Sequence, residues 1–273
     1  MNPTSLFDLT GRVIVITGAT GALAGSVATY LAGCGCRLGL LGRNPSKLAG
    51  LVRGIQAQVS GAECLELVAD VLDRPALEAA RQSVLDRWGK IDGLLNAAGG
   101  NMPGATILPD QSIFDLQFEA FQQVVDLNLH GTVLPALVFG EEMVKAKSGS
   151  IINFSSVSAE RALTRVVGYS SAKAAVENFT RWLAVDLARR SAVRVNAVMP
   201  GFFLGEQNRR LLTNEDGSLT DRGKTILAHT PFARFGAAPD LHGTIHHLLA
   251  DSSAFVTGTV SAVDGGFCAF SGV

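Results

Sequence analysis

Only two tyrosines occur in the 273 residues, and one of them, Tyr169, stands four residues before Lys173 in the stretch GYSSAKAAVENF. On a helix that spacing puts both side chains on one face, a single turn apart. The pairing has a definite chemistry. A free phenol, with a reference pKa of about 10, is a weak acid near neutrality, and a nearby ammonium favours its ionised form. A tyrosine so placed can give a proton to a reacting oxygen or take one from it. Ser156, at the end of IINFSS, adds a hydroxyl that could hold the same oxygen in position. Tyr30 falls midway along an amphipathic pattern and reads as packing.

Such groups need a scaffold, and the apolar pattern supplies one. Short β-rich runs alternate with helical ones: RVIVITG, a helix to about Cys34, RLGLLG, a helix over 47–58, ECLELVAD, a helix over 75–88, IDGLLNAAG, and a long helical region over 118–147. SIINFSS, a helix over 169–189 and VRVNAVMPG follow. Strands and helices in this rhythm predict an α/β fold, a parallel sheet covered on both faces by its crossover helices. After Gly201 the rhythm breaks. A polar stretch over 202–235 reads as a substrate lid, followed by a helix over 239–250 and a last strand in TGTVSAVD.

Composition narrows the partner. The formal net charge is -1 and the charges are mixed along the chain, so neither nucleic acid nor a membrane surface is recommended and a small molecule is expected. The uncharged run between Arg12 and Arg37 is broken by glycines and threonines and reads as strand, turn and helix rather than a membrane span. The N-terminal segment lacks the layout of a signal peptide. Cys34, Cys36, Cys64 and Cys268 show no paired spacing, so reduced thiols in the cytoplasm are expected, with neither a disulfide framework nor a zinc site. His242, His246 and His247 have metal-like helical spacing but no acidic partner in their segment, and no metal is expected.

The turn TGATGALAG follows the first strand, where ligands bind in open α/β sheets. Glycines there allow a pyrophosphate close to the backbone, and the next helix presents unpaired N–H groups to it. At the end of the second strand an acidic residue would hydrogen-bond the 2′-hydroxyl of NAD and repel a 2′-phosphate. Here the sequence is LLGRN, with Gly42 and Arg43, so electrostatics favours NADP over NAD.

Taken together these residues resemble the short-chain dehydrogenase/reductase family over nearly the whole chain. The resemblance is carried by TGATGALAG, by NAAG at Asn96 to Gly99, by Asn128 in DLNLHG, by Ser156 thirteen residues before Tyr169 in YSSAK, and by the Pro-Gly at Pro200 and Gly201. Ala22 and Ala24 depart from the family's later glycines, and Gly205 stands where many members have threonine. The loop after Gly201 and the tail VDGGFCAFSGV are most similar to the D-mannonate oxidoreductase, or fructuronate reductase, branch.

The resemblance implies a single-domain, Rossmann-type, doubly wound sheet of about seven strands. It implies an NAD(P)-dependent enzyme that interconverts a ketone and a secondary alcohol, on a sugar acid such as fructuronate or mannonate. It makes Tyr169 the acid/base, Ser156 the substrate-orienting hydroxyl, Lys173 the ribose-gripping ammonium and Asn128 the holder of a proton-relay water. Cofactor contacts are implied for Gly18, Thr20, Gly21, Leu23, Arg43, Asn44, Asp70, Val71, Asn96, Ala97, Ala98, Tyr169, Lys173, Pro200, Gly201 and Phe203. For a sugar acid's carboxylate the candidates are Asn101, Arg161, Arg209, Arg210 and His229, with Lys224 nearby. A homodimer or homotetramer is implied. The rivals are a 3-oxoacyl or other ketone reductase of the same family and a silent nicotinamide-binding sensor.

Overall fold

The computed structural model describes residues 3–205, 209 and 211–272. Seven strands form one sheet in the order β3-β2-β1-β4-β5-β6-β7: β1 (Val13–Thr17), β2 (Arg37–Gly42), β3 (Cys64–Val68), β4 (Gly93–Asn96), β5 (Ser148–Phe154), β6 (Ala192–Pro200) and β7 (Val260–Val263). Every pairing is parallel. The helices are α1 (Ala22–Gly33), α2 (Pro45–Gln58), α3 (Arg74–Trp88), α4 (Phe118–Val125), α5 (Gly131–Lys145), α6 (Val167–Ala188), α7 (Asp221–Ala228) and α8 (His242–Leu249).

Alternation along each strand divides the apolar interior into two cores. Ile14 and Ile16 of β1 pack with Leu38, Leu40 and Ile152 under α1, α2 and α8, through Val27, Leu31, Leu48, Ile245 and Leu248. Val13 and Val15 face the other way, with Leu94, Ile151 and Val195 under α3, α5 and α6, through Leu77, Val84, Phe139 and Leu183. Both faces being covered, the strands read as continuous apolar runs. Helix starts follow local chemistry. Asn44 accepts Lys47 N–H at 3.0 Å ahead of Pro45, and Asp73 accepts Ala76 N–H at 3.1 Å ahead of Pro75.

Two regions differ in detail from the expectation. The long helical region is interrupted by a wide, π-type turn over Asp126–His130, with Asn128 at its centre. The stretch over 202–235 is not plain loop: Phe203 bridges to Gly236, Thr213 bridges to Leu219, and Thr220 caps α7 through Gly223 N–H at 3.1 Å. Glu206, Gln207, Asn208 and the predicted substrate residue Arg210 lie outside the described residues.

Candidate active site

The sheet reverses its winding between β1 and β4, because the chain builds β2 and β3 to one side of β1 and β4 to β7 to the other. A crevice opens at such a switch point, beyond the carboxyl ends of the strands. The strand ends there are level, with Thr17 paired in register with Asn96 and Asn96 with Asn153. Buried hydrogen bonds lock that row: Asn96 Nδ2 donates to Asn153 Oδ1 at 2.9 Å, and Asn153 Nδ2 donates to Thr180 Oγ1 at 2.9 Å. Thr17 Oγ1 accepts the N–H groups of Ala97 and Ala98 at 3.1 and 3.2 Å. This fixes the turn after β4 against β1.

The predicted proton-transfer residues converge beside the crevice. Tyr169 lies in the first turn of α6, half-buried, with its hydroxyl on the side of Ser156, just past β5. Lys173, one turn on, is 3 % exposed, and its Nζ donates to the carbonyl of Phe154 at 2.7 Å and lies 5.6 Å from the centre of the Tyr169 ring. Asn128 is fully buried. Its Nδ2 donates to Gly100 O at 2.7 Å and Val124 O at 2.8 Å, while its Oδ1 accepts Gly100 N–H at 3.0 Å. Lysine and asparagine meet at Gly99, where an added Cβ would stand 2.7 Å from Asn128 Oδ1 and 3.2 Å from Lys173 Nζ. Only a residue without a side chain leaves both groups their places.

The electrostatics corrects one expectation. Lys173 does not pull the Tyr169 phenol below its ordinary pKa. Burial pushes that phenol up, and the nearby Ser156 hydroxyl recovers part of the shift. The ammonium is itself desolvated, its pKa pushed down to about 8, and it is directed at a carbonyl. Helical spacing supplied the neighbour but not the burial that outweighs it. The protein thus favours Tyr169 as a protonated acid, close to Ser156 and beside a buried lysine.

The crevice suits a dinucleotide. Gly18 leaves β1 at φ +61°, and a Cβ there would stand 2.7 Å from Ala98 Cα. No side chain caps α1, so the first-turn amides after Gly21 have no side-chain acceptor and are suited to an anion. Ala24, out of step with the family's glycine pattern, is buried in the core.

Comparison with known proteins follows the same line. The family profile described as enoyl-(acyl carrier protein) reductase matches residues 18–268. The uncharacterised oxidoreductase UxuB of Bacillus subtilis is 44% identical over 275 residues, 97% of this chain and 98% of that protein. The chain belongs to the short-chain dehydrogenase/reductase family. Among solved family members, a provisionally named D-mannonate oxidoreductase from Haemophilus influenza with bound NAD superposes with a TM-score of 0.91 at 38% identity, covering 97% of this chain and 98% of that one. A gluconate 5-dehydrogenase from Burkholderia cenocepacia, in complex with NADP and tartrate, superposes with a TM-score of 0.84 at 29% identity, covering 97% and 98%. As a member of this family, the protein is an NAD(P)-dependent oxidoreductase acting between alcohols and ketones.

The remaining residues expected at a family cofactor site fall into two groups. Thr20 and Gly21 are exposed and Leu23 is half-buried at the start of α1, and Arg43 is exposed at the end of β2 with its guanidinium 3.7 Å from Asp70. Pro200 ends β6 and Gly201 and Phe203 follow it, and Val71 is buried beside Asp70. In contrast, the Asn44 side-chain oxygen is taken by its helix cap and Asn96 Nδ2 by Asn153, while the buried Asn96 Oδ1 has no hydrogen-bond partner.

The substrate candidates are scattered. Arg161 donates to the carbonyl of Cys268 and so anchors the C-terminal segment. Asn101 donates to Thr106 Oγ1 at 2.8 Å, and His229 Nδ1 lies 2.8 Å from Thr225 O on its own helix. Arg209 is exposed on the insertion. Sequence reasoning passed over Ser158, which is 4 % exposed and whose N–H and Oγ both donate to Ser156 Oγ, at 3.2 and 3.1 Å. A second serine two residues on, in SSVS, was the available signal.

Lys173 gives a testable pH dependence. Its folded pKa of about 8 lies below the ordinary 10.5, so between those values the unfolded chain binds more protons and stability rises with pH. Relative to Lys173→Met, the cofactor-free wild type is expected to gain about 1 kcal/mol between pH 7 and pH 9. Urea unfolding of both proteins at the two pH values measures it, and parallel behaviour would contradict a desolvated ammonium.

Proposed function

We propose that the protein reduces the ketone of a sugar acid, of the fructuronate type, to the corresponding aldonate, or runs the reverse oxidation, with Tyr169 as acid/base. The gathering of Ser156 and Tyr169 about the buried Lys173, whose Nζ lies 5.6 Å from the centre of the Tyr169 ring, carries this reading. The nicotinamide, when bound, supplies or accepts the hydride. The Ser156 hydroxyl, steadied by Ser158, holds the carbonyl oxygen next to the phenol. Tyr169 delivers its proton to that oxygen as negative charge develops there, and Lys173 stabilises the phenolate left behind. Asn128, fixed to Gly100 and Val124, keeps the floor of the site beside Lys173 in shape for a relay water to restore the proton.

The relatives support a sugar acid: one neighbour is named for D-mannonate, and another carries a gluconate dehydrogenase name and holds tartrate. Arg43 supports NADP over NAD, since its exposed guanidinium stands where a 2′-phosphate would come. The segment 202–235 serves as the lid. Exposed Leu137 on α5 and Trp182 and Val185 on α6 support a homodimer or homotetramer, and the four free cysteines support a reducing compartment, the cytoplasm.

Turnover with NADPH and with NADH against D-fructuronate, other keto sugar acids and neutral ketones tests the whole reading. Oxidation of the nicotinamide with D-fructuronate, faster from NADPH, is the expected result. Arg43→Ala should then cut the NADPH preference by about 10-fold, the effect of losing one charge-assisted phosphate contact. Activity confined to 3-oxoacyl or cyclic ketones would reject the substrate.

A further inference from the structure

Three features lie outside the machinery above. Histidines of α8 meet Tyr30 and Ser26, but their ring nitrogens are spent on Ser26, Tyr30 and the Phe7 carbonyl, and among the described residues no group of three or more His, Cys, Asp or Glu is arranged to hold a metal ion. A cavity of about 350 Å³ between Phe202, Phe232 and Gly265 holds an arginine, Arg234, already paired with Asp240 at 2.6 Å. The third feature carries further.

The segment 157–166 leaves one hydroxyl of the site, Ser156, and re-enters α6 three residues before the other, Tyr169, so it must rim the cleft. Two arginines meet on it. Arg165 takes the left-handed conformation, φ 79°, which an arginine adopts only when its surroundings impose it, and its carbonyl is tied to Ile107 N–H at 3.0 Å on the facing loop after β4. From the insertion, Arg222 on α7 reaches across to donate its Nη1 to Thr164 Oγ1 at 3.3 Å.

Both arginines are half-buried. Neither has a carboxylate within ion-pair distance among the described residues, although other cations of the insertion do: Lys224 pairs with Asp221 at 3.1 Å and Arg234 with Asp240. Burial, and then the charge of Arg165, hold Arg222 below its ordinary pKa. Two like charges drawn together and partly out of water, with no acid paired to either among the described residues, are unfavourable until an anion arrives.

We propose that Arg165 and Arg222 form the carboxylate subsite at the mouth of the cleft, gripping the acid end of the substrate while its carbonyl lies at Ser156 and Tyr169. The assignment rests on the sugar-acid reading given above and names the residues that select it. It replaces Arg161, whose guanidinium is taken by the C-terminal segment.

Binding separates this inference from the activity. D-gluconate has the carboxylate and lacks the reducible ketone, and D-gluconamide lacks the charge. Calorimetric titration of each into protein loaded with NADPH should show the acid binding at least about 10-fold more tightly than the amide, a difference lost in Arg222→Gln and in Arg165→Gln and partly kept in Arg222→Lys. Nicotinamide fluorescence should give the same cofactor Kd in all four proteins. Equal binding of acid and amide to the wild type overturns the subsite without any variant. An acid preference that survives both glutamine substitutions overturns it as well. If the acid preference behaves as expected but D-fructuronate is not turned over, the subsite stands and the choice of substrate falls.

Discussion

Tyr169→Phe is expected to lower kcat by about 10²–10⁴-fold, the usual contribution of a positioned general acid, while leaving the nicotinamide Kd unchanged. The phenylalanine keeps the ring and removes only the hydroxyl on the side of Ser156. The residual rate should also lose its alkaline limb. In the wild type, reduction should fall on the alkaline side first as Lys173 loses its proton, from about 8, and further as the phenol, raised by burial, loses its own. Stopped-flow and steady-state rates across pH 6–10 would measure both effects. A variant with more than a tenth of wild-type kcat would mean that another group donates the proton.

Gly18→Ala is expected to be the most damaging single change in the cofactor crevice. The new methyl would stand 2.7 Å from Ala98 Cα and 2.8 Å from Ala98 N, backbone atoms that Thr17 holds in place, at a φ of +61°. The left-handed conformation alone costs an alanine about 1 kcal/mol. Displacing the turn after β4 adds a further cost and opens the floor on which the dinucleotide rests. Gly61→Ala is the control, since Gly61 has a φ of +77° with nothing within 4 Å. Urea unfolding should show a loss of about 1 kcal/mol for Gly61→Ala and two to three times that for Gly18→Ala, and nicotinamide fluorescence a cofactor Kd weakened at least about 10-fold for Gly18→Ala alone. Equal losses in the two variants would place all the damage in φ and none in the contact with Ala98.

The order of strands and helices was open to reading because each element is marked locally. Alternating β-branched runs end in glycine or asparagine turns, and Asn44-Pro45 and Asp73-Arg74-Pro75 announce helix starts. The reactive group was legible for a similar reason, since Tyr169 and Lys173 lie within one helical turn. What the sequence hid is whatever depends on chain segments meeting from afar. Thr17 binds amides 80 and 81 residues on, and Arg222 reaches a threonine 58 residues back. Neither distance leaves a periodic trace. The sign of the Tyr169 shift was hidden too, because residue spacing says who the neighbour is and nothing about how much water is left between them.

The polar row through Thr17, Asn96, Asn153 and Thr180 bears on how freely this sequence can drift. Strands that are apolar on both faces have no inside-outside pattern to distinguish one alignment from a neighbouring one. The asparagine pair supplies that distinction, since sliding β4 against β5 by one residue would strand two buried amides without partners. Valine, isoleucine and leucine should therefore interchange along β1, β4 and β5 at modest cost, whereas the few polar positions at their ends act as alignment marks, holding the crevice in place while the hydrophobic interior around them is rewritten.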